Sequence, residues 1–307
     1  MIMFEQYLKQ LALLLEIMPY VFDEPCFCLK GGTAINLFIL DFPRISVDID
    51  LVYLPQNDRQ AALQHIDEAL TRISIQISKN ITNSKVLAKR ISQNTILAKL
   101  FVQKGQTQVT IEPNLVLRGH LYPVEQRSLS ESVQKLMQLF LSNIPTLNIA
   151  EVYAGKICAA LDRQHPRDLF DIKLLYDKAG GLTKEIRQAF VVYLASGPRP
   201  MHELLAPNKL DTLSLFENEF LGMSNQEVTY HELLSARNKL IHDIKSGLSD
   251  HEKEFLLSVK QGKPKYELLS FKNLETFPAL QWKIKNIRLM DQAKQCVMLK
   301  KLETSLV

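Results

Sequence analysis

The chain has 307 residues, 46% hydrophobic and 23% charged, with a formal net charge of +4. That is the balance of a globular protein, and the length allows one large domain or two ordinary ones. No apolar run is long enough to span a membrane, and an N-terminus without a basic start or a small-residue cleavage site argues against a signal peptide, so the expected compartment is the cytoplasm.

Leu8, Leu11, Leu14, Leu15 and Met18 recur at helical spacing and predict an amphipathic helix over 3–18. Residues 26–30 read as a strand ending at Gly31-Gly32, with Cys26 and Cys28 as small core residues. With Cys158 and Cys296 they show no metal-like pairing, which fits a reducing compartment. A short helix over 33–40 is ended by Asp41-Phe42-Pro43, and residues 47–54 form a strand stopped by Pro55. A helix follows over 58–72, then strands over 95–103 and 107–117, joined near Lys104-Gly105-Gln106 as a hairpin. After Ser128 the strand signals fade. Helices are predicted over 149–163, 166–178, 184–195, 228–244 and 250–260, with breaks at Gly180-Gly181 and Ser196-Gly197-Pro198. The predicted fold is α+β: a small mixed sheet with helices over 1–127, then a mainly helical domain over 128–307 whose first helices close over the active site.

The charge is unevenly spread. Between residues 71 and 110 stand Arg72, Lys79, Lys85, Lys89, Arg90, Lys99 and Lys104, with no Asp or Glu. From 256 to 307 there are ten Lys or Arg against four Asp or Glu. Such stretches suit a polyanion such as RNA. The plainer alternative is solvated helix faces and a strand edge on which lysine discourages aggregation.

Two groups of residues carry the chemistry. A glycine pair opening a helix makes room for phosphate, because helix-start N–H groups are unpaired and Gly31 and Gly32 put no Cβ in the way. Thr33 can cap that helix or donate to a phosphate oxygen. Asp48 and Asp50 share one strand face, and two carboxylates on one face suit a Mg2+ ion carrying a nucleoside triphosphate. Ser46 points to the same side, and Arg44 can reach phosphate or brace Asp48. A phosphate cradle beside a metal clamp reads as phosphoryl or nucleotidyl transfer. Farther on, Lys156, Ala160 and Arg163 lie on one face of an otherwise apolar helix. Arg167, Asp168 and Asp171 open the next helix, where acids suit the helix dipole and an Arg–Asp clasp is equally open. His165 reads as structural, and Asn238, Lys239 and His242 are given no catalytic role.

The pattern Lys30-Gly31-Gly32-Thr33-Ala34 with Arg44-x-Ser46-x-Asp48-Ile49-Asp50-Leu51 resembles the signature of the DNA polymerase β-like nucleotidyltransferases, and in its fuller form the AbiEii/AbiGii toxin branch. A second block, from Glu151 through Lys156, Arg163 and Pro166-Arg167-Asp168-Leu169-Phe170-Asp171, is similar to that branch, as is the tail around Pro278 and Trp282-Lys283. The resemblance implies a third carboxylate on a neighbouring strand, for which Glu112 is the candidate although Pro113 follows it. It also implies that Lys156 contacts the nucleotide phosphates, with Asp168 favoured over Asp171 for function. The implied activity is Mg2+-dependent transfer of a nucleoside monophosphate from NTP to an acceptor, a tRNA 3′ end, by a toxin with a cognate antitoxin. Alternatives are transfer to a protein or small-molecule hydroxyl, and a non-catalytic nucleotide- or RNA-binding module.

Overall fold

The computed structural model describes residues 2–91 and 96–307. The chain folds as two compact units, one of Met1–Asn148 with Leu221–Glu227, the other of Ile149–Phe220 with Val228–Val307.

The first unit opens with helix α1 (Ile2–Phe22), whose Leu11, Leu14, Leu15 and Met18 are buried. Strand β1 (Phe27–Lys30) leads into α2, a turn of Gly31–Thr33 continuing as a wider π turn over Ala34–Ile39. Strand β2 (Asp48–Tyr53), helix α3 (Arg59–Asn80) and strands β3 (Ser84–Ile91), β4 (Ile96–Lys104) and β5 (Thr107–Pro113) follow. Thr95, the expected first residue of the fourth strand, lies outside the described residues. Strand β6 (Glu125–Arg127), helix α4 (Glu131–Met137) and strand β7 (Ile144–Thr146) complete a seven-stranded mixed sheet of order β3-β4-β5-β2-β1-β7-β6.

The α+β expectation holds, with more sheet than the sequence signals. Helix α3 starts at Asp58, whose side chain accepts the N–H groups of Gln60 and Ala61. It runs past Arg72 because Ile73 and Ile77 continue the buried stripe of Ala69 and Leu70. Strand β3 is an edge strand whose residues are mostly exposed on both faces, so it lacks the alternation that marks a half-buried strand. Strand β7 is three residues long and is held by pairing, with Leu29 opposite Thr146 and Leu147 N–H donating to Leu29 O at 3.0 Å. That pairing keeps the chain through β7 with the first unit, which runs to Asn148. One sheet face, with Ile49, Leu51, Leu100, Val102, Val109 and Ile111, is buried; α1 packs against β5 and α3 against β4 and β3.

The second unit is helical: α5 (Ile149–Asp162), α6 (Pro166–Lys178), α7 (Lys184–Ser196), α8 (Met201–Leu205), α9 (Leu213–Leu215, continuing as a π turn over Phe216–Phe220), α10 (Tyr230–Gly247), α11 (Asp250–Lys260), α12 (Pro278–Arg288) and α13 (Gln292–Ser305). Sequence-readable caps fix several starts. Thr229 with Glu232 and Ser249 with Glu252 form reciprocal capping boxes, and Pro166 opens α6. Among the described residues no helix is long and apolar enough to cross a membrane.

Candidate active site

The site in the first unit is built where β1 hands over to α2. Gly31 has φ +74, and a Cβ there would overlap the Asp50 carboxylate. A Cβ on Gly32 would lie 2.7 Å from the Arg44 guanidinium and 3.0 Å from Ser46 Oγ. The glycine pair thus lets a backbone turn sit directly against a carboxylate and a guanidinium, which no other residue allows.

Asp48 and Asp50 lie on β2 with buried Ile49 between them; Asp48 is exposed and Asp50 half-buried. Their shared face follows from the strand's twofold period. Parallel pairing with β5 puts Asp48 opposite Thr110 and Asp50 opposite Glu112, so the candidate third carboxylate stands beside Asp50 in register. On the other side Lys30 is opposite Asp50. Glu112 is 49% exposed and its Oε2 accepts from Lys99 Nζ at 2.5 Å. The row Lys30, Asp50, Glu112, Lys99 crosses four strands with cations at its ends and carboxylates at its centre. Sequence reasoning misses both flanking lysines, because only the register brings them there.

Thr33 and Ser46 are buried. The Thr33 hydroxyl donates to the Asp48 carbonyl at 2.5 Å and lies 3.0 Å from Ser46 Oγ, so Thr33 ties α2 to β2 rather than capping its own helix. Asn36 Nδ2 donates to Gly32 O at 2.9 Å, fixing the glycine turn from inside the helix. Arg44 is 3% exposed and donates to Ile45 O at 2.9 Å. Its strand-like segment is gripped by residues far along the chain: Ile45 N–H donates to Met223 O, Asn225 N–H to Pro43 O, and Arg44 bridges Ser224. Nothing local in the sequence announces that clamp.

Among the described residues no group of three or more His, Cys, Asp or Glu side chains is gathered as a metal cage. Asp48 and Asp50 fit Mg2+ by donor chemistry: the ion takes hard oxygens, and one or two carboxylates suffice when phosphates supply others.

In the second unit the block around Lys156 is a buried ion cluster. Lys156 Nζ lies 2.8 Å from Asp168 Oδ1 and 2.9 Å from Asp171 Oδ2. Arg163 grips Asp168 bidentately, at 2.5 and 3.1 Å, while its own side chain stays 65% exposed. Burial alone would raise the Asp168 carboxyl, but Lys156 and Arg163 overcome it and hold it well below the usual carboxylate range. Of the Arg–Asp clasps left open by the sequence, Arg163–Asp168 is formed, and Arg167 lies toward Glu219 at 3.6 Å. Glu151, also buried, accepts from Tyr193 Oη at 3.1 Å. His165 caps α6 by accepting the Arg167 N–H, and Lys239 pairs with Asp243 on the surface at 3.0 Å.

The family described as "Nucleotidyl transferase AbiEii toxin, Type IV TA system" matches residues 12–286. The chain is also similar in structure to MenT4, a nucleotidyltransferase toxin from Mycobacterium tuberculosis H37Rv. The TM-score is 0.57 at 16% identity, over 89% of this chain and 92% of that one. No curated protein sequence matches.

Proposed function

The chain belongs to the AbiEii family of nucleotidyl transferase toxins of type IV toxin–antitoxin systems, and from that premise we propose that it moves a nucleoside monophosphate from NTP to the 3′ end of an RNA, a tRNA being the leading acceptor. The reading rests chiefly on one observation, the register that sets Asp48, Asp50 and Glu112 on one face against the glycine turn. Asp48 and Asp50 are the residues to hold Mg2+, which when bound supplies Lewis-acid neutralisation of the triphosphate. The N–H groups of the Gly31-Gly32 turn and the Arg44 guanidinium receive the phosphates, while Thr33 and Ser46 hold the turn to β2. Glu112, oriented by Lys99, accepts the proton of the attacking hydroxyl. The acceptor oxygen bonds to the α-phosphorus, the α–β phosphoanhydride breaks, and pyrophosphate leaves. Adding nucleotides to a tRNA 3′ end blocks aminoacylation, which is a route to toxicity that a cognate antitoxin would relieve in the cytoplasm. Lys156 and Asp168 are assigned a positioning role inside the second unit, because each is buried against the other.

The test is incubation of the protein with Mg2+, total RNA and each labelled NTP in turn. Label in RNA with wild type and none with Asp48→Ala or Asp50→Ala is expected. Label in protein, or in an aminoglycoside supplied as acceptor, would replace the RNA reading.

A further inference from the structure

We propose that the open face of the sheet in the first unit, centred on Phe101, is the track that carries a single-stranded RNA 3′ end to the carboxylates. This rests on the RNA-acceptor reading above and adds the residues that would recognise the strand.

The face is defined by register. Asp48 pairs with Thr110, Thr110 with Phe101 and Phe101 with Leu87, so these four side chains form one row on the carboxylate face. The next row continues Asp50 and Glu112 through Lys99 to Lys89, and on the other side Gln108 and Gln103 lead to Lys85. The opposite face of these strands is the buried core. The carboxylate face is open: Leu87 is 38% exposed, Lys85 and Lys89 are exposed, and Phe101 is half-buried. Phe101 stands two strand spacings from Asp48, about 10 Å.

Charge on this face differs from what composition suggests. Of the seven cations between residues 71 and 110, Arg72, Arg90 and Lys104 are held by Glu24, Asp67 and Glu16 from outside the stretch. Lys85 and Lys89 make no ion pair among the described residues. Lys99 is held by Glu112 and Lys79 stands apart at the end of α3, so Lys85 and Lys89 are the unpaired cations beside the half-buried ring, and Lys99 Nζ lies 5.8 Å from the Phe101 centroid. An aromatic ring flanked by lysines, in line with catalytic carboxylates, matches single-stranded nucleic acid: rings stack bases and ammonium groups follow phosphates. Lysines set on edge strand β3 only against aggregation would not require a half-buried phenylalanine on the same face of its neighbour β4.

The experiment uses the full chain and reads transfer to RNA together with anisotropy of a short fluorescein-labelled single-stranded RNA. Phe101→Ala should raise Kd and the RNA KM by roughly 5- to 150-fold, the range for one lost stacking contact, with the KM for NTP unchanged. Phe101→Tyr should restore both. Lys85→Ala and Lys89→Ala, exposed and safe for folding, should each lower the salt slope of RNA binding by about 0.7. Unchanged RNA binding in Phe101→Ala and in both lysine variants would overturn the proposal. So would a Phe101→Ala protein that keeps RNA binding and transfer but escapes its antitoxin, since the face would then dock a protein. If wild type binds the RNA through Phe101 yet labels only a protein or a small molecule, the acceptor reading falls while the RNA-binding face stands.

Discussion

The two units each carry a cluster of acids that the sequence marks as functional, and they are built in opposite ways. In the first, Asp48 is exposed, Asp50 half-buried and Glu112 half-exposed, ranked along one sheet face beside a turn that only glycine permits. In the second, Asp168 and Asp171 are at most 1% exposed and share the Lys156 ammonium, with Arg163 closing the cluster. Carboxylates kept near the surface beside a glycine turn cost little to keep and remain accessible to a cation. Buried carboxylates are already neutralised, and their partners hold helices α5 and α6 together. A family motif thus spans two physical roles, and burial with pairing is what separates them.

The comparison predicts that function and stability respond to different residues. Asp48→Ala or Asp50→Ala should lower transfer by about 10³- to 10⁴-fold, the equivalent of about 4–5 kcal/mol of lost stabilisation, and leave thermal unfolding within about 0.5 kcal/mol of wild type. Expressed at equal level, these variants should not slow the growth of a bacterial host that wild type slows. A folded Asp48→Ala protein with wild-type transfer would remove the first cluster from the active site.

Lys156→Ala should do the reverse. It removes the ammonium that two buried carboxylates share, a loss of about 3–5 kcal/mol. The only tryptophan, Trp282, lies in α12 of the second unit, so its fluorescence reports unfolding of that unit. A midpoint unchanged in denaturant, with the KM for NTP raised, would instead make Lys156 the phosphate contact that the family resemblance implies.

Gly31→Ala sharpens the boundary between the two roles within one residue. The new Cβ meets Asp50 and the φ of +74 is unfavourable for alanine, so about 1–3 kcal/mol of strain is expected in the first unit. Because that strain falls on a carboxylate, transfer should drop more than stability, read by comparing kcat/KM with the unfolding free energy.

What was legible follows from how local each feature is. The Gly31-Gly32 turn, the Asp48–Asp50 face and the capped helices are written in neighbouring residues, so pattern and propensity suffice. Lys99 meets Glu112 and Lys30 comes to stand opposite Asp50 only through strand register, and the Met223–Asn225 segment clamps Arg44 from far along the chain. Strand β3 was hidden because both its faces are exposed, and β7 because three residues carry no period. Lys156 stood out as a charge on an apolar helix. That it answers two aspartates depends on how α5 meets α6, which composition does not encode.

Lys283 on α12 supplies the smallest test and an intermediate case: a half-buried cation whose polar contacts are carbonyls. Its Nζ donates to Gly197 O at 2.6 Å. Burial, reinforced by the nearby positive charge of Lys260, pushes its ammonium down to about 8. Between that value and the ordinary lysine range near 10.4, the unfolded chain binds the extra proton, so stability must rise with pH there and stay flat below about 8. Lys283→Met keeps the stem and removes the titration, so the gain in wild-type stability from pH 8 to 10, relative to the variant, should be roughly 1–2 kcal/mol once partial exposure is allowed for. The same Trp282 signal in denaturant measures it. Parallel pH curves for the two proteins would mean that Lys283 stays solvated in the folded state. The rule that burial marks structural charge in this unit would then hold only for charges that also have a partner of opposite sign.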